Sequence, residues 1–142
     1  MTMSQSLHRA YFEDIKIGES VETPAMTLTE AHVSLYRGLT DDQGGPSSGV
    51  PDLLPLCLST GLGWRLNRAP LAVLAFMSVD WHIERPLQAG DTIRGRARAV
   101  AKRSLREGGV LMEEHEIVNQ HGEAVQHGRF TFLVAKRPPS SS

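Results

Sequence analysis

Apolar and polar residues alternate in the second half of the chain and bunch into blocks in the first. From Leu74 to Ile83, Ala75, Met77, Val79, Trp81 and Ile83 fall on one side and Phe76, Ser78, Asp80 and His82 on the other. That period of two predicts a strand. Arg85-Pro86 ends it, and Gln88-Ala89-Gly90-Asp91 reads as a turn. Thr92 to Ala101 alternates again, with Arg94, Arg96 and Arg98 on the wet face and Ile93, Ala97, Ala99 and Ala101 on the other. Glu107-Gly108-Gly109 and Asn119 to Glu123 are turn signals separating two further strands, Val110 to Val118 and Ala124 to Ala135. Three strands joined by hairpins predict an antiparallel sheet.

The first half is punctuated differently. Ser20 to Thr27 predicts a strand that Pro24 bends or keeps at an edge. Thr27 and Thr29 are both good helix caps, and Leu28, Ala31, Leu35 and Leu39 recur at helical spacing up to a stop near Gly38. Thr40 to Val50 holds Gly44-Gly45-Pro46 and Ser47-Ser48-Gly49, which exclude regular structure. The block after it, Asp52 to Trp64, is apolar all round, so it predicts a buried helix that other elements must wrap. Pro55 has no amide to donate and belongs in a first helical turn, which places the N-cap at Asp52. Leu54, Cys57, Leu58, Gly61 and Leu62 make one face of that helix. Strand, helix, buried helix and meander together predict one α+β domain.

Composition narrows the function classes. A chain of 142 residues suits one domain with a real core. With 15 Lys and Arg against 16 Asp and Glu, bulk charge favours neither nucleic acid nor an anionic membrane as a partner. The single cysteine, Cys57, excludes an intrachain disulfide framework, and it reads as a small core residue. No window is apolar and long enough to span a membrane, and the start of the chain has no signal-like core. The expectation is a soluble cytoplasmic protein, loose over residues 1–10, folded over 11–137 and frayed over 138–142. The histidines match no metal-ligand spacing, and nothing calls for a cofactor.

Four stretches carry a resemblance. Tyr11-Phe12-Glu13-Asp14 with Ile17-Gly18-Glu19, then Thr27-Leu28-Thr29-Glu30-Ala31, resembles the opening of MaoC-like dehydratase domains. Arg85-Pro86-Leu87-Gln88-Ala89-Gly90-Asp91-Thr92-Ile93, the turn Asn119-Gln120-His121-Gly122-Glu123-Ala124-Val125, and Phe132-Leu133-Val134 are similar to later parts of the same family, in order. The resemblance implies the hotdog fold, a curved antiparallel sheet wrapped around one long central helix. It implies an acyl thioester of coenzyme A or acyl carrier protein as ligand, bound in a tunnel between helix and sheet. It further implies a homodimer, or a heterodimer with another hotdog chain, and reversible addition of water to a 2-enoyl thioester. In that chemistry a carboxylate and a histidine from the loop before the central helix hold the water, and an amide at the helix start polarises the thioester carbonyl.

This chain departs from the family in that loop. The family reads Gly-Asp-x-Asn-Pro-x-His-x-Asp, whereas here the loop is Thr40-Asp41-Asp42-Gln43-Gly44-Gly45-Pro46-Ser47-Ser48-Gly49. Asp42 falls on the family's aspartate with Asp41 as its rival, and Ser47 stands where the histidine belongs. No histidine lies between His32 and His82, and a serine does not exchange protons near neutral pH. His82 is the candidate that reaches in from the sheet, while His32, His115, His121 and His127 read as structural or surface groups. Gly49, Asp52, Leu53 and Leu54 are the implied substrate contacts, with the amides near Leu53 and Leu54 facing the thioester oxygen. The basic stripe from Arg94 to Arg106 reads as a wet face that could also meet coenzyme A phosphates. The other readings of such a site are thioester hydrolysis, another addition to an activated thioester, and a non-catalytic subunit beside an active partner.

Overall fold

Thr29 opens the first helix. In the computed structural model, which describes residues 8–44 and 49–140, its hydroxyl accepts from the His32 amide at 3.3 Å. The His32 ring nitrogen answers by accepting from the Thr29 amide at 3.0 Å, a capping box with histidine in the third position. The helix, α1, runs Glu30–Thr40 and ends at Asp41, whose φ of 57° places it in the left-handed region. Pro24 breaks the preceding extended stretch into β1 (Ser20–Glu22) and β2 (Met26–Thr27).

The second helix, α2, spans Leu54–Gly63. Its N-cap is Leu53 rather than Asp52, and no side chain caps it, so Pro55 sits one position earlier in the first turn than expected. Pro55 is tolerated there for the reason that located the helix: a first-turn residue needs no amide partner.

The sheet follows the expected meander. Strands β3 (Val73–Ile83), β4 (Thr92–Leu105), β5 (Gly108–Val118) and β6 (Ala124–Val134) pair antiparallel in the order β1-β4-β5-β6-β3, and β2 pairs with β4 as the sixth strand. The hairpin turns are fixed locally: Asn119 Oδ1 accepts from the amides of His121 and Glu123, with Gly122 at φ 78°. The β3–β4 turn is fixed by Asp91, whose carboxylate accepts from the Gln88 amide at 2.8 Å.

Register shifts rearrange the predicted faces. A shift between Phe76 and Ser78 puts Phe76 on the same side as Val79 and Trp81, where it meets Phe130 and Phe132 edge-on. A second shift, between Ala99 and Ala101, sends Ala101 outward and turns Lys102 toward the carbonyls of Phe12 and Ile15. Each extra residue reverses the alternation beyond it, which a period-two reading does not anticipate.

Leu28, Val33, Val50, Leu54, Leu87, Ile93, Ile117 and Val125 form the main core between the helices and one end of the sheet. Phe12, Ala99, Leu111 and Val134 form a second cluster at the other end. Each fully buried aliphatic side chain contributes about 1.5–3 kcal/mol. Helix α2 lies close on the sheet: a Cβ on Gly95 would sit 2.6 Å from Ser59 Oγ. Its burial is one-sided, however. Leu54, Pro55 and Leu62 are buried, while Cys57 is exposed and Trp64 is 68% exposed. Cys57 is thus not a core residue within the single chain. Strand β3 forms a sheet edge and leaves Leu74, Phe76, Met77 and Val79 exposed as well. Among the described residues, no helix is long and apolar enough to cross a membrane.

Candidate functional site

The two candidate aspartates follow α1 directly and are used differently. Asp41 ends the helix, its amide donating to the Arg37 carbonyl at 2.9 Å while its side chain stays exposed. Asp42 is half-buried, and its carboxylate is held at both oxygens: Oδ1 accepts from the Gly44 amide at 2.9 Å, and Oδ2 accepts from the Tyr36 hydroxyl at 3.3 Å. Thr40 braces the turn by donating to the Tyr36 carbonyl and accepting from the Asp42 amide. Tyr36 packs against the main core, and its phenol also feels Cys57 on α2, so the Asp42–Tyr36 pair lies on the side of the core that α2 joins. Ser47, expected in place of the family's histidine, lies outside the described residues.

The far side of the loop is anchored to the sheet. Gly49 is half-buried, and the amide of the buried Val50 donates to the Leu87 carbonyl at 3.0 Å. Asp52 is exposed, and its carbonyl accepts from Gln126 Nε2 at 3.0 Å. Gln126 is buried and its Oε1 accepts from the Trp81 indole at 2.8 Å, which ties the entrance of α2 to both β6 and β3. The amide of Leu54 donates to the Pro51 carbonyl at 3.1 Å and is therefore committed. The Leu53 amide has no hydrogen bond among the described residues, which leaves it as the open donor of the two.

His82 is not brought to this site. Trp81 turns inward to Gln126, so its neighbour His82 points to the opposite face of the sheet. There it stacks on His127 at 5.2 Å, with Asp80 at 3.4 Å and with Glu84 2.8 Å from the His127 ring. His32 is occupied in the cap of α1. His115 is half-buried on the inner face, stacked on Phe130 at 4.0 Å and 3.0 Å from Glu113. Among the described residues, no three His, Cys, Asp or Glu side chains converge where a metal could sit.

A concavity of about 940 Å³ also lies on the outer face, between rows of side chains that include Arg98, Glu114, Arg129, Arg96, Glu116 and His127. Those rows pair internally: Glu22 meets Arg94 at 2.8 Å and Arg96 at 3.1 Å, Glu116 meets Arg96 at 3.2 Å, and Glu114 meets Arg98 at 3.0 Å. A groove walled by paired charges does not suit an acyl chain. The pairing also occupies Arg94, Arg96 and Arg98, three residues of the basic stripe from Arg94 to Arg106 that was a candidate for coenzyme A phosphates. A smaller hollow of about 220 Å³ lies on the inner face beside Ile15, Leu71, Ala99 and Leu111, at the end of the sheet away from Asp42. Neither concavity adjoins the start of α2, so neither is the expected tunnel between helix and sheet.

Charge states follow from these contacts. Arg94 and then Arg96 hold the Glu22 carboxylate below its usual range, and Arg98 does the same for Glu114. Tyr36 moves the other way: burial, then the charge of Asp42 and its hydrogen bond, push the phenol above its ordinary value, with a smaller contribution from Cys57. The sequence reading did not single out Tyr36 as a site residue. Its position six residues before Asp42, across a helix end, was the available signal. Gln126 had none, because the register shift opposite Ile117 and Val118 turns both Val125 and Gln126 inward.

No family model and no curated protein matches the sequence. Solved structures do match. A monoamine oxidase regulatory protein from Archaeoglobus is 29% identical at a TM-score of 0.81, over 92% of this chain and 97% of that one. A MaoC-like dehydratase from Rhodospirillum rubrum is 17% identical at a TM-score of 0.75, over 91% of this chain and 99% of that one. The R-hydratase of Pseudomonas aeruginosa is 14% identical at a TM-score of 0.73, over 93% of this chain and 96% of that one. The shared architecture is the hotdog fold, which another matching chain carries twice.

Proposed function

We propose that this chain, whose fold is the hotdog shared with MaoC-like dehydratases, binds an acyl thioester of coenzyme A or acyl carrier protein and adds water reversibly to its 2-enoyl group. The observation that carries the reading is Asp42: a half-buried carboxylate held at both oxygens, one of them by the Tyr36 phenol that packs on the core shared with α2, where the Leu53 amide has no partner among the described residues. Water held by Asp42 loses a proton to the carboxylate as its oxygen bonds to C3 of the enoyl group. Negative charge moves to the thioester oxygen, where the Leu53 amide and the positive end of α2 stabilise it. Asp41 takes no part, since it serves to end α1.

The working unit in this reading is a homodimer joined along the β3 edges. Such a joint removes the unpaired edge and covers Met77, Val79, Cys57 and Trp64, which a lone chain leaves in water. The acyl chain then lies against the uncovered face of α2 and is enclosed by the second copy. A non-catalytic subunit is the second reading, favoured by the lack of any histidine between His32 and His82.

The test supplies the purified chain with crotonyl and longer 2-enoyl thioesters while enoyl absorbance and free thiol are followed together. Loss of absorbance without thiol is the expected result. Thiol release marks a thioesterase. Silence that ends only when a second hotdog chain is added marks a supporting subunit.

A further inference from the structure

Hydration needs two proton movements, one from water and one to C2, and of the two loop carboxylates Asp42 is half-buried while Asp41 stays exposed. We infer that Tyr36 is the second proton-transfer group, donating its phenolic hydrogen to C2 and recovering it from Asp42. The inference rests on the hydratase reading above and deepens it.

Three observations place the phenol in that role. Its hydroxyl is in direct hydrogen-bond contact with Asp42 Oδ2 at 3.3 Å, so a proton has a path between the two groups. Its half-buried ring packs against the main core, and the phenol lies near enough to Cys57 on α2 to feel it, so the hydroxyl is held on the α2 side of the core. The groups facing it are Asp42 on the loop and Cys57 on α2, and both oppose its ionisation, as burial does. The phenol therefore stays protonated through neutral pH and is available as a donor.

The cycle balances. An O–H bond of water breaks, its proton passes to Asp42, and the oxygen bonds to C3. The C2–C3 π pair shifts to give the thioester enolate. The enolate carbon takes the phenolic proton from Tyr36, and the resulting phenolate is reprotonated by the carboxylic acid of Asp42. The net change is addition of H and OH, with both residues restored. Dehydration runs the same steps backwards.

The experiment uses Tyr36→Phe, which keeps the packed ring and deletes only the hydroxyl. On crotonyl thioester, kcat should fall about 10²-fold or more, with KM changed far less. The loss of wild-type activity at high pH, which reports ionisation of the phenol, should vanish from the residual rate. A second measurement needs no change at Tyr36. The chain has two tyrosines, so Tyr11→Phe isolates the Tyr36 phenol for absorbance titration. Adding Asp42→Asn should move its midpoint toward that of a free phenol. An active wild type with an equally active Tyr36→Phe overturns the inference alone, as does a midpoint that ignores Asp42→Asn. A wild type silent on every thioester overturns the hydratase reading and this inference with it.

Discussion

Asp41 gives its backbone to the left-handed end of α1, whereas Asp42 turns its carboxylate onto the Tyr36 hydroxyl and the Gly44 amide. Sequence alone set the two aspartates side by side as rivals, because the difference lies in which one follows the cap. The start of α1 was legible to within two residues, since Thr27 and Thr29 both read as caps and the helix uses Thr29. The start of α2 was legible to within one residue from Pro55. Gln126 was not legible: a lone glutamine in a strand gives no sign that it bridges Trp81 and the Asp52 carbonyl. Gln126→Leu should therefore cost about 1–3 kcal/mol, because it leaves the half-buried Trp81 indole N–H and the Asp52 carbonyl without their partner. Urea unfolding measures this, and a change under about 0.5 kcal/mol contradicts the bridge.

At the scale of elements, hairpin turns and strand alternation delivered the meander, and register shifts set the limit of that reading. Phe76 and Ala101 each change face because one extra residue stands between paired positions, a consequence of tertiary pairing that local periodicity does not encode. Gly128 tests the closeness of that pairing. A Cβ there would come 1.9 Å from the Asp80 carbonyl oxygen and 2.7 Å from the Trp81 ring, and backbone has no cheap way to move. Gly128→Ala should lower stability by about 2 kcal/mol or more and loosen β3 from β6. Faster amide hydrogen exchange along β3, with β4 and β5 still protected, is the expected pattern.

For the whole molecule, the apolar block from Asp52 to Trp64 announced a helix that must be covered, yet one chain covers only part of it. The missing cover is the physical reason to expect two copies. Sedimentation should give twice the chain mass, and Met77→Lys on the exposed edge strand should return it toward one chain. Stability should also depend on pH at both ends. Glu22 and Glu114 are held below the usual carboxylate range by arginines, so their contribution is complete above about pH 5 and fades as pH falls through their lowered values. Tyr36 is raised, so its contribution is complete below about pH 9 and fades as pH rises past the ordinary phenol value of about 10. Melting temperature against pH should show a plateau between these limits. Added salt should flatten the acid side most, because those ion pairs are exposed.

The central claim is that a site without the family's imidazole still works through Asp42. The most direct measurement is the initial rate of enoyl absorbance loss on crotonyl thioester, compared between the wild-type chain and Asp42→Asn at matched folding and mass. Asparagine keeps the shape, and its single carbonyl oxygen can still accept from the Gly44 amide while its NH2 donates toward the Tyr36 oxygen, but it takes no proton from water. The expected result is a measurable wild-type rate, without thiol release, that falls by at least about 10²-fold in the variant. A variant as fast as the wild type contradicts the claim.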